Sequence, residues 1–138
     1  MPSTAALARA KQQYLEQQVA SASPERLVTL LYDRLLVDID RAAAAQDASE
    51  WLAAGPHLTH AQSIVAELNG SLTDVWDGAE QLRGIYTYLT TRLIAANVSR
   101  DRAATTECRE LVAPLRDAWH QAAAQVTAQA APQVAVAS

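Results

Sequence analysis

The sequence predicts an all-α fold: an antiparallel up-down four-helix bundle with a short N-terminal helical segment. Three observations carry this. Apolar residues recur at three- and four-residue spacing in four long stretches, the period of a helix with one buried face. Ala and Leu recur throughout, Phe is absent and only four Gly occur in 138 residues, while β-branched runs of period two are missing. The connections between the stretches are short, which makes successive helices antiparallel neighbours.

The elements follow in order. Residues 1–22 form an amphipathic segment with Leu7, Ala10, Tyr14 and Leu15 at helical spacing; alone it is marginal, so it is expected to be detachable. The first long helix starts at Ser23-Pro24-Glu25. Ser23 accepts from an unpaired backbone N–H, Pro24 loses no needed donor, and Glu25 favours the positive end of the dipole. It should run to about residue 46. The second helix is expected to begin near Asp47-Ala48-Ser49-Glu50 and to kink or restart at Gly55-Pro56. It carries Ala61, Ile64, Val65, Leu68 and Leu72 inward and ends at Asn69-Gly70-Ser71. The third spans about 75 to 97 with Leu82, Ile85, Tyr86, Leu89, Leu93 and Ala96 on one face. The fourth begins near Asp101 and carries Ala104, Cys108, Leu111, Leu115, Trp119, Ala122 and Val126, with a bend expected at Pro114. Past residue 128 the pattern is lost. The bundle is thus assigned to 23–128, and 129–138 to a disordered tail.

Composition bounds the function. Half of the residues are hydrophobic and 19% are charged, which suits one folded domain. The net charge is −4 and the pI about 5.2, with Arg26, Arg34, Arg41, Arg83, Arg92 and Arg109 spread among acids. Nucleic acid needs a basic stripe and is not expected. The single Cys108 excludes an internal disulfide and fits a reducing compartment. No apolar h-region precedes Lys11-Gln12-Gln13 and no window is long enough for a membrane span, so a cytoplasmic location without membrane insertion is expected.

Chemistry finds no constellation. His57 and His60 sit three apart, but carboxylate-bridged metal bundles use Glu-x-x-His, and no Glu here has a His three positions on. Cys108 lies on an apolar stripe and reads as a structural thiol. Asp74 and Asp77 around Trp76 read as helix-start acids. No enzyme activity, metal or cofactor is expected.

The helix from Pro24 says more. Leu27, Val28, Leu31, Tyr32, Leu35, Ile39 and Ala42 fill one arc, while Leu30 and Val37 fall outside it, one heptad apart, and Leu36 is also off the core side. Tyr88 and Ile94 stand away from the main stripe of the third long helix in the same manner. Apolar positions of this kind on two helices imply a groove for a partner helix or a subunit contact. A homodimer that buries the stripe is the alternative use.

Four ordered blocks carry a resemblance. The first is Tyr14 … Val19-Ala20-Ser21-Ala22-Ser23-Pro24-Glu25-Arg26-Leu27-Val28 … Leu31-Tyr32-Asp33. The second is Ala61-Gln62-Ser63-Ile64-Val65-Ala66-Glu67-Leu68-Asn69-Gly70-Ser71-Leu72. The third is Leu82 … Ile85-Tyr86-Thr87-Tyr88-Leu89 … Arg92-Leu93-Ile94-Ala95-Ala96-Asn97, and the last Leu115-Arg116-Asp117-Ala118-Trp119. In order and separation they resemble the FliS family of flagellin export chaperones. Gln17 stands where Asn is common, Arg34 where Gly is usual and Leu89 where Met is usual; Gly55-Pro56 interrupts a helix that is usually continuous.

The resemblance implies a bacterial cytosolic bundle whose N-terminal segment packs over an apolar groove. The implied partners are the disordered C-terminal segment of flagellin and the flagellar export gate, with no cofactor. Tyr14, Tyr32, Asp33 and Tyr88 become candidate partner-binding residues from the motifs, and Leu30, Val37 and Ile94 from helix phase. Tyr14 is the expected centre of the groove cover.

Overall fold

The computed structural model describes residues 4–10, 24–73 and 77–137, with side chains described to residue 128. Tyr14 lies outside the described residues. Residues 4–10 are helical. Four longer helices follow: α1 (Pro24–Asp47), α2 (Trp51–Gly70), α3 (Ala79–Val98) and α4 (Arg102–Ala137). Among the described residues there is no strand.

The helices form a square. α1 packs on α2 and α4, and α3 packs on the same two helices, so α1 and α3 are diagonal. Tyr32, Leu35 and Ile39 from α1 meet Leu58, Val65 and Leu68 from α2 and Leu89 and Leu93 from α3 in one core. Burial of each Leu or Ile contributes roughly 1.5–3 kcal/mol. Ala42, Ala61, Ala96 and Ala104 are fully buried, and their small side chains let the helices approach closely. Leu36 packs against this core, whereas Leu27 is exposed; the arc inferred from periodicity was rotated slightly too far toward Leu27.

The helix ends show where local chemistry differs from the expectation. Asp47-Ala48-Ser49-Glu50 both closes α1 and opens α2, whose N-cap is Glu50: its carbonyl accepts from the Ala53 and Ala54 N–H groups at 3.1 Å. The Glu50 N–H donates to the Ala45 carbonyl at 2.8 Å and the Ser49 N–H to that of Gln46 at 3.0 Å, with Ser49 at φ 57°. This is the two-bond C-terminal motif usually built on Gly. Gly55-Pro56 does not break α2, which runs through both. Pro56 would have donated to the Leu52 carbonyl on the exposed side of the helix, where water replaces the lost bond. Asp101 does start α4: its Oδ1 accepts from the Ala104 N–H at 3.1 Å. α4 continues past Pro114 and stays helical to Ala137, where a disordered tail was expected. Ala and Gln favour helix even without an apolar stripe to dock. Measured from the level of Pro24, α4 therefore projects about 18 Å beyond the bundle at 1.5 Å per residue.

Ion pairs stitch the seams. Asp33, Asp40 and Asp47 on α1 meet Arg116, Arg109 and Arg102 on α4 at 2.6, 2.9 and 2.8 Å. Both sets recur every seven residues, so they form an antiparallel heptad ladder. On the α1/α2 seam the fully buried Asp38 pairs with His60, and Arg34 approaches it at 3.4 Å.

Candidate functional site

On the α3/α4 seam, no residue lining the upper half is charged among the described residues. Its lower half is closed by Arg92, which meets Glu107 at 3.1 Å and Asp101 at 3.5 Å, and by the Tyr88 hydroxyl, which donates to Glu107. Above that level the lining is Gly78, Gln81, Leu82, Ile85, Leu115, Ala118, Trp119 and Ala122, enclosing an open groove of about 510 Å³. The groove exists because Gly78, Ala118 and Ala122 are too small to fill the space between two helices.

Trp119 divides this groove from a second hollow of about 230 Å³, lined by Val28, Leu68, Leu72, Tyr86 and neighbours around the upper end of the bundle. The Trp119 ring stacks on Tyr32 with centroids 6.5 Å apart. The Tyr32 and Tyr86 hydroxyls are hydrogen-bonded at 2.6 Å. Burial pushes the Tyr32 hydroxyl well above the usual tyrosine range, the Tyr86 contact adds to this, and Trp119 acts in the opposite sense. Burial also raises Tyr86, so both phenols are neutral across the physiological range. Three aromatic rings thus tie α1, α3 and α4 under the groove floor. They supply apolar area and fixed shape.

The sequence-based candidates separate into different places. Tyr32 is fully buried and belongs to the core, so its face is not open to a partner in this state. Asp33 sits at the α1/α4 seam, where its Oδ1 accepts from Arg116 at 2.6 Å and from His120 at 2.7 Å. Burial works upward on this carboxyl, but the His120 and Arg116 contacts outweigh it and hold it below the usual carboxylate value. Leu30 is half-buried and Val37 is 39% exposed, both on α1. Tyr88 and Ile94, 47% and 44% exposed, lie on α3. Tyr88 turns toward α4 through Glu107, and α1 and α3 are diagonal, so these four positions do not line one common groove.

What periodicity missed is that Ile85, Leu115, Trp119 and Ala122 lie at the edge of the core stripe. The available signal was the run of Gly78, Ala118 and Ala122 on facing helices, which leaves Trp119 more space than a packed seam would. Cys108 is buried and its thiol is pushed up to about 12 by that burial, which leaves it inert.

Over residues 7–126 the chain matches the family described as Flagellar protein FliS. It belongs to that family. This FliS-family chain is 32% identical over 109 residues to the flagellar secretion chaperone FliS of Bacillus subtilis (strain 168), covering 79% of this chain and 82% of the relative. The flagellar secretion chaperone FliS of Escherichia coli (strain K12) is 31% identical over 110 residues, covering 78% and 81%. Among solved structures, a bacterial flagellar chaperone superposes with a TM-score of 0.68 at 17% identity, covering 85% of this chain and 97% of that one. The helical bundle is therefore the FliS fold. Among the described residues no helix is long and apolar enough to cross a membrane.

Proposed function

We propose that this chain is a cytoplasmic flagellar export chaperone that holds the C-terminal segment of flagellin and delivers it to the export gate. The observation that carries the reading is the charge-free groove between α3 and α4, floored by Leu82, Ile85, Leu115 and Trp119. A disordered client rich in apolar helix-forming residues must bury them to avoid self-association, and ordering it costs entropy that only a large surface repays. The groove and the hollow behind Trp119 give an apolar path around the upper end of the bundle. Leu30 and Val37 extend apolar surface onto α1 for a long client. Pro24, the first residue of α1, stands at that same upper end, which supports a cover centred on Tyr14 that gives way to the client.

Titration calorimetry with a flagellin C-terminal peptide tests this. The expected result is 1:1 binding, weakened at least about tenfold, or 1.4 kcal/mol, by Ile85→Glu. Ile85 is only half-buried, so the variant keeps its helicity. A wild type that does not bind the peptide overturns the client assignment. Loss on Val37→Glu with none on Ile85→Glu moves the site to α1.

A further inference from the structure

The outward side of α1 carries a second row of residues, separate from the stripe that fills the core. Leu27, Leu30, Arg34, Val37, Arg41 and Ala44 follow one another at steps of three, four, three, four and three. That alternation is the heptad seam of a coiled coil, and it sets the six along one line of the helix. The line runs opposite the buried Tyr32, Leu35 and Ile39. Leu30 is half-buried and the other five are exposed. We propose that this seam docks an acidic amphipathic helix of a partner protein, with apolar residues on Leu30, Val37 and Ala44 and carboxylates on Arg34 and Arg41.

The two arginines decide the partner. They stand seven positions apart inside the seam rather than beside it, so a helix laid there covers both. Arg34 is steered from below: its Nε lies 3.4 Å from Oδ1 of the fully buried Asp38, an oxygen that has no hydrogen bond. Its side chain is half exposed, and its two terminal nitrogens are left for a carboxylate arriving from outside. Arg41 is exposed and meets no carboxylate among the described residues. The acids along the edges are engaged elsewhere. Asp33 and Asp40, on the α4 side, hold Arg116 and Arg109, and Asp38, on the α2 side, holds His60. Glu67 on α2 borders the seam near Leu31 and pairs with neither arginine among the described residues.

A second copy of α1 does not meet this demand. A parallel pair sets arginine against arginine, and an antiparallel pair sets arginine against the apolar row; both bury cations without a counter-charge. A lipid surface does not meet it either, because helices lying on membranes keep their cations beside the apolar face and not within it. Carboxylates at heptad spacing on a partner helix do, and they select partner and register together. The seam runs about 26 Å from Leu27 to Ala44, and the small Ala44 limits its apolar gain, so the affinity is modest. Leu30 and Val37 also stand at the α1 end of the client's path. A helix seated on the seam therefore displaces that end of a long client and leaves the α3/α4 groove untouched.

Fluorescence anisotropy on the full chain, without any client, tests the seam independently of the flagellin reading. The probe is a labelled helical peptide of roughly three heptads, with Leu in one seam row and Glu in the other. Binding is expected at about 10–100 µM, at least about tenfold tighter than for the same peptide with Lys in place of Glu. Arg34→Gln with Arg41→Glu is expected to reverse that preference with helicity retained, since both side chains are exposed and Gln sets no new carboxylate beside Asp38. Ile85→Glu, in the client groove, is expected to leave Glu-peptide binding unchanged. A wild type that does not prefer the Glu peptide up to about 1 mM overturns the proposal, as does a double variant that keeps the preference. Loss of the Glu peptide on Ile85→Glu places it in the groove and overturns the seam. Binding to phosphatidylglycerol vesicles that the double variant abolishes assigns the arginines to lipid and overturns it too.

Discussion

Gln46 gathers three helices onto one side chain. Its Oε1 accepts from the Thr105 hydroxyl at 2.7 Å and its Nε2 donates to the Ala96 carbonyl at 3.2 Å, all within the buried interior. A buried amide is tolerable only when its donors and acceptor are engaged, because an orphaned group forfeits its hydration without return. Thr105→Val keeps the shape and removes the donor, so the Gln46 oxygen is left bare. The expected cost is about 1–3 kcal/mol, read as a lower urea midpoint with an unchanged slope. Gln46→Leu is expected to cost at least as much, because it takes the partner from both the Thr105 hydroxyl and the Ala96 carbonyl. Sequence reasoning placed residue 46 merely at the end of a helix. A glutamine at the last turn looks solvated in one dimension, and only the approach of Thr105 from 59 positions away makes it interior.

At the scale of elements, most of the fold was legible and the errors cluster at joints. Four helices, their order and most inward stripes follow from period and composition. Asp-Ala-Ser-Glu was legible as the start of α2, but not as the end of α1, which the same residues also form when Ser49 takes a left-handed φ of 57°. That conformation costs an L-residue energy that Gly avoids, against which Gly adds chain entropy to the unfolded state. The balance favours Ser49→Gly by about 0.5 kcal/mol, measurable as a small rise in melting temperature. The groove was less legible than the helices. Ile85, Leu115 and Trp119 have the correct phase for a core, and their exposure depends on small residues facing them from the other helix. A one-dimensional pattern records which side a residue faces but not whether the opposing helix fills the space.

For the whole molecule, charge placement decides which seams can open. The rungs of the α1/α4 ladder are exposed ion pairs, so each contributes little, and less at high salt. Asp33 and Asp47 both titrate below the ordinary carboxylate value because of their partners: for Asp33, His120 and Arg116 overcome the upward pull of burial, and for Asp47, Arg102 provides the hydrogen bond and the charge. Folded values depressed in this way mean stability that is present above the unfolded value near ~4 and lost as pH falls through the lower, folded one. Urea midpoints compared between about pH 6 and pH 3 should therefore fall, and about 0.5 M salt should shrink the part of that fall due to the ladder. An acid loss independent of salt would place the effect elsewhere. Among the described residues the α3/α4 groove has no such rungs in its upper half, so the proposed client would not compete with ion pairing there.

The same ladder has a consequence for the order in which the chain closes. The α1/α2, α2/α3 and α3/α4 pairs are hairpins between neighbours in sequence, whereas the rungs join residues 55, 69 and 83 positions apart. Loop-closure entropy makes such contacts late. The bundle is thus a ring whose final closure is electrostatic, with the first and last helices aligned by a heptad ruler. A slip of one heptad keeps two rungs of three, and any smaller slip loses all of them. Discrimination among those registers falls to the short connections at 48–50 and 99–101, which hold the α1/α2 and α3/α4 hairpins fixed before the ring closes.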